Sequence, residues 1–301
     1  MKNRLIKTLN IKRFKLVLLL EGLLVGILAG LVIVGYRICL TNGALWLQRI
    51  LAYCKQSIFT IIIWFVILFV IALVVTKLLD WESLISGSGI PQLEGELAGK
   101  IDAKWWRVLI AKFFGGFLAN FSGLALGREG PSIQLGAMVG KGIGKVLKRG
   151  KTEERYLLTC GASAGLAAAF HAPLAGVMFA LEEVHKHFSA PLLISVMTSS
   201  IAADYLMSSI LGMAPVFSFN IHGTLPTQYY WMVIILGIIL GLLGAFYNKA
   251  LLFVQSLYNH SKHLNNYTKL LIPFILAGIL GFTVPQLLGS GDTLVDLLIE
   301  G

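Results

Sequence analysis

Three short stretches of this 301-residue chain carry residues able to handle ions. In Gly87-Ser88-Gly89-Ile90-Pro91 the glycines permit close backbone approach, Pro91 suits a first helical turn, and Ser88 supplies a cap or a hydroxyl donor. A helix starting there exposes unpaired N–H groups and, at membrane depth, makes an anion site; an ordinary N-capped turn is spelled the same way. Gly127-Arg128-Glu129-Gly130-Pro131-Ser132 repeats the design with a carboxylate in it, between Leu124-Ala125-Leu126 and Ile133-Gln134-Leu135-Gly136. An acid at such a helix start is costly to bury ionised, competes with an anion while charged, and leaves when protonated. A structural pairing of Glu129 with Arg128 or Lys112 is the plainer alternative. Glu182-Glu183 closes an apolar run and precedes His185, Lys186 and His187. One of the two acids could load protons from the cytoplasm, or both could be solvated charges at a helix end. His185 and His187 read as interfacial residues rather than ligands.

The elements that must hold these residues are membrane helices. Apolar and aromatic residues make up 56% of the chain and charged ones 13%, and the mean hydropathy is +0.79, which excludes a soluble globular protein. The net charge of +10 would suit nucleic acid in a soluble chain. Here the basic residues cluster between apolar runs, the positive-inside pattern of a multi-span protein, so no nucleic acid is expected. Runs of about 20 apolar residues fall at 16–36, 58–76, 105–126, 157–181, 190–213, 229–254 and 270–288.

Lys2, Arg4, Lys7, Lys12, Arg13 and Lys15 precede the first run, which lacks a small-residue cleavage site and reads as a retained span with a cytoplasmic N-terminus. Lys141, Lys145, Lys148, Arg149, Lys151 and Arg155 form a second cluster expected on the same side. The breaks at 87–91, 127–131 and His171-Ala172-Pro173 interrupt helices at depths where irregular backbone must line a cavity or lie inside protein. Cys39, Cys54 and Cys160 have no metal-ligand spacing and read as buried small side chains, so no metal or cofactor is expected. Gly161-Ala162-Ser163-Ala164-Gly165 and the glycines 140, 142 and 144 mimic enzyme motifs, but neither follows a strand, and no enzymatic role is expected.

An internal repeat adds to this. Gly26, Gly30 and Tyr36 recur in the same spacing as Gly237, Gly241 and Tyr247, and Gly87-Ser88-Gly89 recurs as Gly289-Ser290-Gly291. Repeats of this kind build midplane sites in transporters. The expected division is a first transmembrane repeat with its N-terminal segment over 1–228 and the start of a second over 229–301.

Taken together the motifs resemble the CLC family of chloride channels and proton-coupled chloride transporters. They are Gly87–Pro91, Lys112-Phe113-Phe114-Gly115-Gly116, Gly127–Pro131, the stretch Gly161–Gly176, and Glu182-Glu183, in family order over nearly the whole chain. The resemblance implies an all-α polytopic membrane protein with broken, re-entrant helices and inverted repeats, the second incomplete. It implies Ser88, Gly89 and Ile90 at a central anion, the amides around Arg128, Glu129 and Gly130 at an outer one, Glu129 as the gate and Glu183 as the inner proton glutamate. Exchange of protons for chloride is the expectation, with a passive channel or a non-conducting fragment as alternatives. The implied partners are chloride, protons, the bilayer of the cell membrane and, in the complete protein, a second copy in a homodimer. Gln92 stands where many members carry Glu. Ser88 favours chloride, since nitrate-selective relatives tend to carry Pro and fluoride exporters a different residue. The family's Gly-x-Phe-x-Pro helix and later tyrosine are absent from the sequence, which reads as the N-terminal part of a longer protein.

Overall fold

The computed structural model describes residues 2–213, 226–260, 265–289, 291 and 295, with side chains from Leu16 onward. The side chains of the first basic cluster, Ser290 of the echoed turn and residues 214–225 lie outside the described residues. Among those described the chain is helical, with no strand: α1 (Lys2–Cys54), α2 (Ile58–Trp81), α3 (Ile90–Leu97), α4 (Trp105–Phe121), α5 (Glu129–Val146), α6 (Lys151–Phe170), α7 (Pro173–Phe179) running on into a π-helical turn (Ala180–His185), α8 (Ala190–Leu211), α9 (Tyr230–His260) and α10 (Asn266–Thr283).

Local sequence sets the ends. Ser57, Ser189 and Asn265 cap α2, α8 and α10 by accepting from Phe59, Leu192 and Thr268 amides at 3.3, 3.4 and 2.8 Å. All three breaks expected from the sequence are present. Gly89 takes φ 90° before α3, α5 opens at Glu129, and His171 ends α6 at φ 54° ahead of Pro173. The first apolar run proves short of its helix: α1 does not stop at residue 36 but continues to Cys54, its later part burying Leu40, Leu47 and Leu51. Among the described residues five helices, α1, α2, α8, α9 and α10, are long and apolar enough to cross a membrane.

Small residues let the helices at the centre touch. On α1 and α8, which run parallel, a Cβ on Gly22 would sit 2.7 Å from the Ser195 carbonyl oxygen, one on Gly26 would strike the Ser199 backbone, and one on Gly30 would reach 3.0 Å from Ala203 Cα. On α5 and α6, which run antiparallel, Gly136 and Gly140 meet Gly161 and Leu157, and Gly165 meets Ser132, again backbone to backbone. Without a hydrophobic drive between helices in lipid, such close approach supplies the packing that holds a bundle together. Polar anchors add to it: Ser195 Oγ donates to Leu18 O and Ser199 Oγ to Cys160 O.

At the α6–α7 corner, Arg37 of α1 lies 3.0 Å from His171 Nε2, and Asp204 of α8 lies 3.4 Å from Nδ1, so the break is tied to both flanking helices. By contrast α9 is exposed along its length among the described residues, and its Gly237, Gly241 and Tyr247 meet nothing there, whereas Gly26, Gly30 and Tyr36 are packed.

Lys141, one of the second basic cluster, is not at the surface. Its side chain is 0% exposed on α5, paired with Glu96 at the end of α3 and donating at 2.7 Å to both Asp102 and the Ala103 carbonyl. All three of its N–H bonds are thus used, so the buried ammonium leaves no donor unmet. A second interior pair, Arg149 to Glu21, joins the end of α5 to α1, with Nε donating at 2.6 Å.

Candidate anion site at paired helix starts

The starts of α3 and α5 lie against one another. Gly130, in the first turn of α5, has Ser88 so close that an added Cβ would lie 2.6 Å from its carbonyl oxygen, 2.9 Å from its Cα and 3.0 Å from its Cβ. Gly89 is similarly pressed onto the Gln134 side chain, 2.5 Å from a would-be Cβ. Only glycine permits this approach, and at Gly89 the left-handed backbone demands it as well. Ser88 is exposed, and its Oγ accepts from the Ile90 amide at 3.3 Å, leaving the hydroxyl proton available to an anion.

Gly89 caps α3 and Arg128 caps α5 without a side-chain hydrogen bond, and Pro91 and Pro131 have no N–H to offer. Ser88 Oγ takes up the Ile90 amide, while the other first-turn amides have no side-chain cap, and the two helix starts lie in contact. Glu129 is half-buried at this point, its carboxylate curled back over Gly127, where an added Cβ would collide with Oε2. The structure brings Ser88, Gly89, Ile90, Glu129 and Gly130 together, and Arg128 also lines a cleft of about 540 Å³ between α1, the end of α4 and residues 281–291.

The residues that hold this geometry were not all legible beforehand. Lys112 does not pair with Glu129. Buried on α4, it donates to the Ile85 and Gly87 carbonyls at 2.8 and 2.7 Å and so fixes the loop that leads into α3. Gln134 of α5 donates to the Leu84 carbonyl at 2.8 Å and clamps the same loop from the other side. Among the described residues Glu129 has no ion-pair partner, so the plainer reading of a structural pairing is not what the chain does.

Glu182 and Glu183 lie elsewhere, exposed on the π-helical turn. That turn packs on α3, where Lys186 pairs with Glu94, in the middle of the eight-residue helix, at 3.4 Å. Nearby, His185 is half-buried, with Nδ1 2.9 Å from Thr159 Oγ1. The Thr159 hydroxyl spends its proton on the Arg155 carbonyl at 2.8 Å, so Nδ1–H is the donor and Nε2 carries the lone pair. Burial, then the neighbouring His187 and Arg155, holds His185 below the usual histidine range.

Apolar helices long enough to span a membrane, broken at glycine and proline, with two helix starts in contact beside a carboxylate, define a polytopic membrane protein with interrupted helices. The family model described as voltage gated chloride channel matches residues 70–301, and the chain belongs to that family, the CLC chloride transporters. The H(+)/Cl(-) exchange transporter ClcA of Vibrio parahaemolyticus is 38% identical over 223 residues, 72% of this chain and 48% of that protein. ClcA of Citrobacter koseri is 33% identical over 302 residues, 95% of this chain and 62% of that protein. The chain thus spans about half to three fifths of the length of these relatives. A slow cyanobacterial Cl-/H+ antiporter superimposes with a TM-score of 0.83 at 31% identity, covering 92% of this chain and 66% of that one. A CLC-type fluoride/proton antiporter, at 22% identity and a TM-score of 0.72 over 93% and 69% of the chains, shares the fold.

Proposed function

We propose that this chain carries the gate and the proton entry of a chloride–proton exchanger. The observation that carries the reading is the contact of Ser88 with Gly130, which aims the amides of two helix starts at one point beside the Glu129 carboxylate. Ser88, Gly89 and Ile90 hold a central chloride, and the amides of Arg128 and Gly130 frame an outer position. Ionised Glu129 fills the outer position as an internal anion. Protonation removes its attraction to the helix dipoles, and chloride takes its place. Glu183, exposed on the turn that packs on α3, receives the proton from the cytoplasm.

The names of the relatives support exchange, since both curated ones are H(+)/Cl(-) exchange transporters. Basic residues in the first turns of α1 and around the end of α5 support a cytoplasmic N-terminus in the cell membrane. The working unit is a homodimer with one pathway per subunit. A passive channel is the second reading, favoured by the description of the matching family.

The test is chloride flux and proton movement recorded together from proteoliposomes. Glu129→Gln should keep chloride flux and abolish proton movement, and Glu183→Gln should uncouple protons too. Undiminished proton pumping in Glu129→Gln would overturn the assignment, and chloride flux without any pH change in the wild type would establish the channel.

A further inference from the structure

At the end of the α2 span, one cation is left without a counter-charge. Arg107, in the first turn of α4, lies with its guanidinium carbon 5.6 Å from the Trp81 ring centroid and 5.3 Å from that of Trp106. The two indoles meet edge to face at 5.8 Å and are 40% and 43% exposed, so they form an open, outward-facing cage. Trp105 next to them turns the other way and packs on Gly142 of α5, 2.8 Å from a would-be Cβ, which fixes the start of α4. Among the described residues no carboxylate lies within ion-pair distance of Arg107, and its Nε is buried without a hydrogen-bond partner.

The setting makes that vacancy informative. The span Ile58–Trp81 ends on one of the cage residues, so the cage sits where hydrocarbon gives way to headgroups, the depth that tryptophan favours. Exposed Lys77, one turn earlier on α2, and exposed Lys104, which caps α4, add positive charge; exposed Asp80 and half-buried Glu82 oppose it without reaching the guanidinium. Indole faces offset a cation only in part. A guanidinium fork matches phosphate oxygens in pairs, and binding there would satisfy donors the protein leaves unmet.

We propose that Trp81, Trp106 and Arg107 form a binding site for the phosphate of an anionic phospholipid headgroup. Arg107 grips the phosphate, the two indoles fix the fork and pack on the glycerol region, and Lys77 and Lys104 supply the preference for net negative charge. The site is independent of the exchange reading, and its readout is bound lipid rather than transport.

The protein would be reconstituted in nanodiscs of phosphatidylcholine with graded phosphatidylglycerol, re-extracted, and its retained lipid counted by native mass spectrometry. Wild type should retain phosphatidylglycerol preferentially. Arg107→Gln should weaken that retention about tenfold, and Arg107→Lys, which keeps the charge but loses the fork, about threefold. Trp106→Leu, at an exposed ring, should lower retention with an unchanged melting temperature, which keeps the test decisive if Arg107→Gln fails to fold. Quenching of tryptophan fluorescence by brominated phosphatidylglycerol gives the second arm. Equal phosphatidylglycerol retention in wild type and Arg107→Gln would overturn the proposal, as would full reversal of the quenching by millimolar inorganic phosphate, which would mark a free-anion site instead.

Discussion

Gly130→Ala is the sharpest probe of the paired helix starts. The added methyl would sit 2.6 Å from the Ser88 carbonyl oxygen and 2.9 Å from Ser88 Cα, both of them backbone atoms that no rotamer change can move. Carbon–oxygen contacts are comfortable from about 3.3 Å, so one helix start must retreat by roughly 0.5–0.8 Å. Overpacking of that size costs about 1–3 kcal/mol. Because the amides are aimed at one point, a displacement approaching 1 Å should cost about ten- to a hundredfold in chloride flux. The control is Gly127→Ala, whose methyl meets only the flexible carboxylate end of Glu129 and spares the α3–α5 contact. Flux from proteoliposomes and melting in detergent would be measured on both variants. Gly130→Ala should lose flux and several degrees of melting temperature, and Gly127→Ala should keep its melting temperature while changing the pH dependence of flux. Wild-type flux and melting in Gly130→Ala would refute the argument that this contact shapes the site.

Lys141→Met should destabilise the protein by about 3–5 kcal/mol, because it strands the Glu96 carboxylate, 8% exposed, without its cation. Adding Glu96→Gln should restore most of the loss, which chemical denaturation of the single and double variants would reveal. Asp102, 83% exposed, is held below the usual carboxylate range by its hydrogen bond from Lys141 and by that charge, so its small contribution is complete above that range and disappears as pH falls through the lowered value. His185 acts in the opposite sense to a partnered histidine. Its lowered pKa means that the unfolded chain takes up a proton first as pH falls below about 6.5, so stability declines from there until the folded form also protonates. His185→Asn, which can still donate to Thr159, should flatten the pH dependence of melting over that window.

Much of the site was legible because its signals are local. Proline and glycine at 87–91, 127–131 and 171–173 forbid continuous helix, and the helices do restart at Ile90, Glu129 and Pro173. What the sequence could not display was the pairing of those breaks in space. Lys112 and Gln134 clamp a loop that lies 25 and 50 positions away from them, and no periodicity announces such a bond. The burial of Lys141 was not legible for a related reason: it stands among other lysines, and its carboxylate partners lie some 40 positions upstream. The extent of α1 escaped because hydropathy fades after residue 36 while the amphipathic tail continues to bury leucines.

The buried lysine has a mechanical consequence. α3 and α5 lie side by side and are joined at both ends, by Ser88 on Gly130 at their starts and by Glu96 on Lys141 farther along. Two bodies pinned at two points cannot scissor apart or slide without breaking one of the joints. The pair therefore acts as a fixed frame, and under the proposed mechanism the travel that admits and releases an ion falls to the lightest part mounted on it, the three rotatable bonds of the Glu129 side chain.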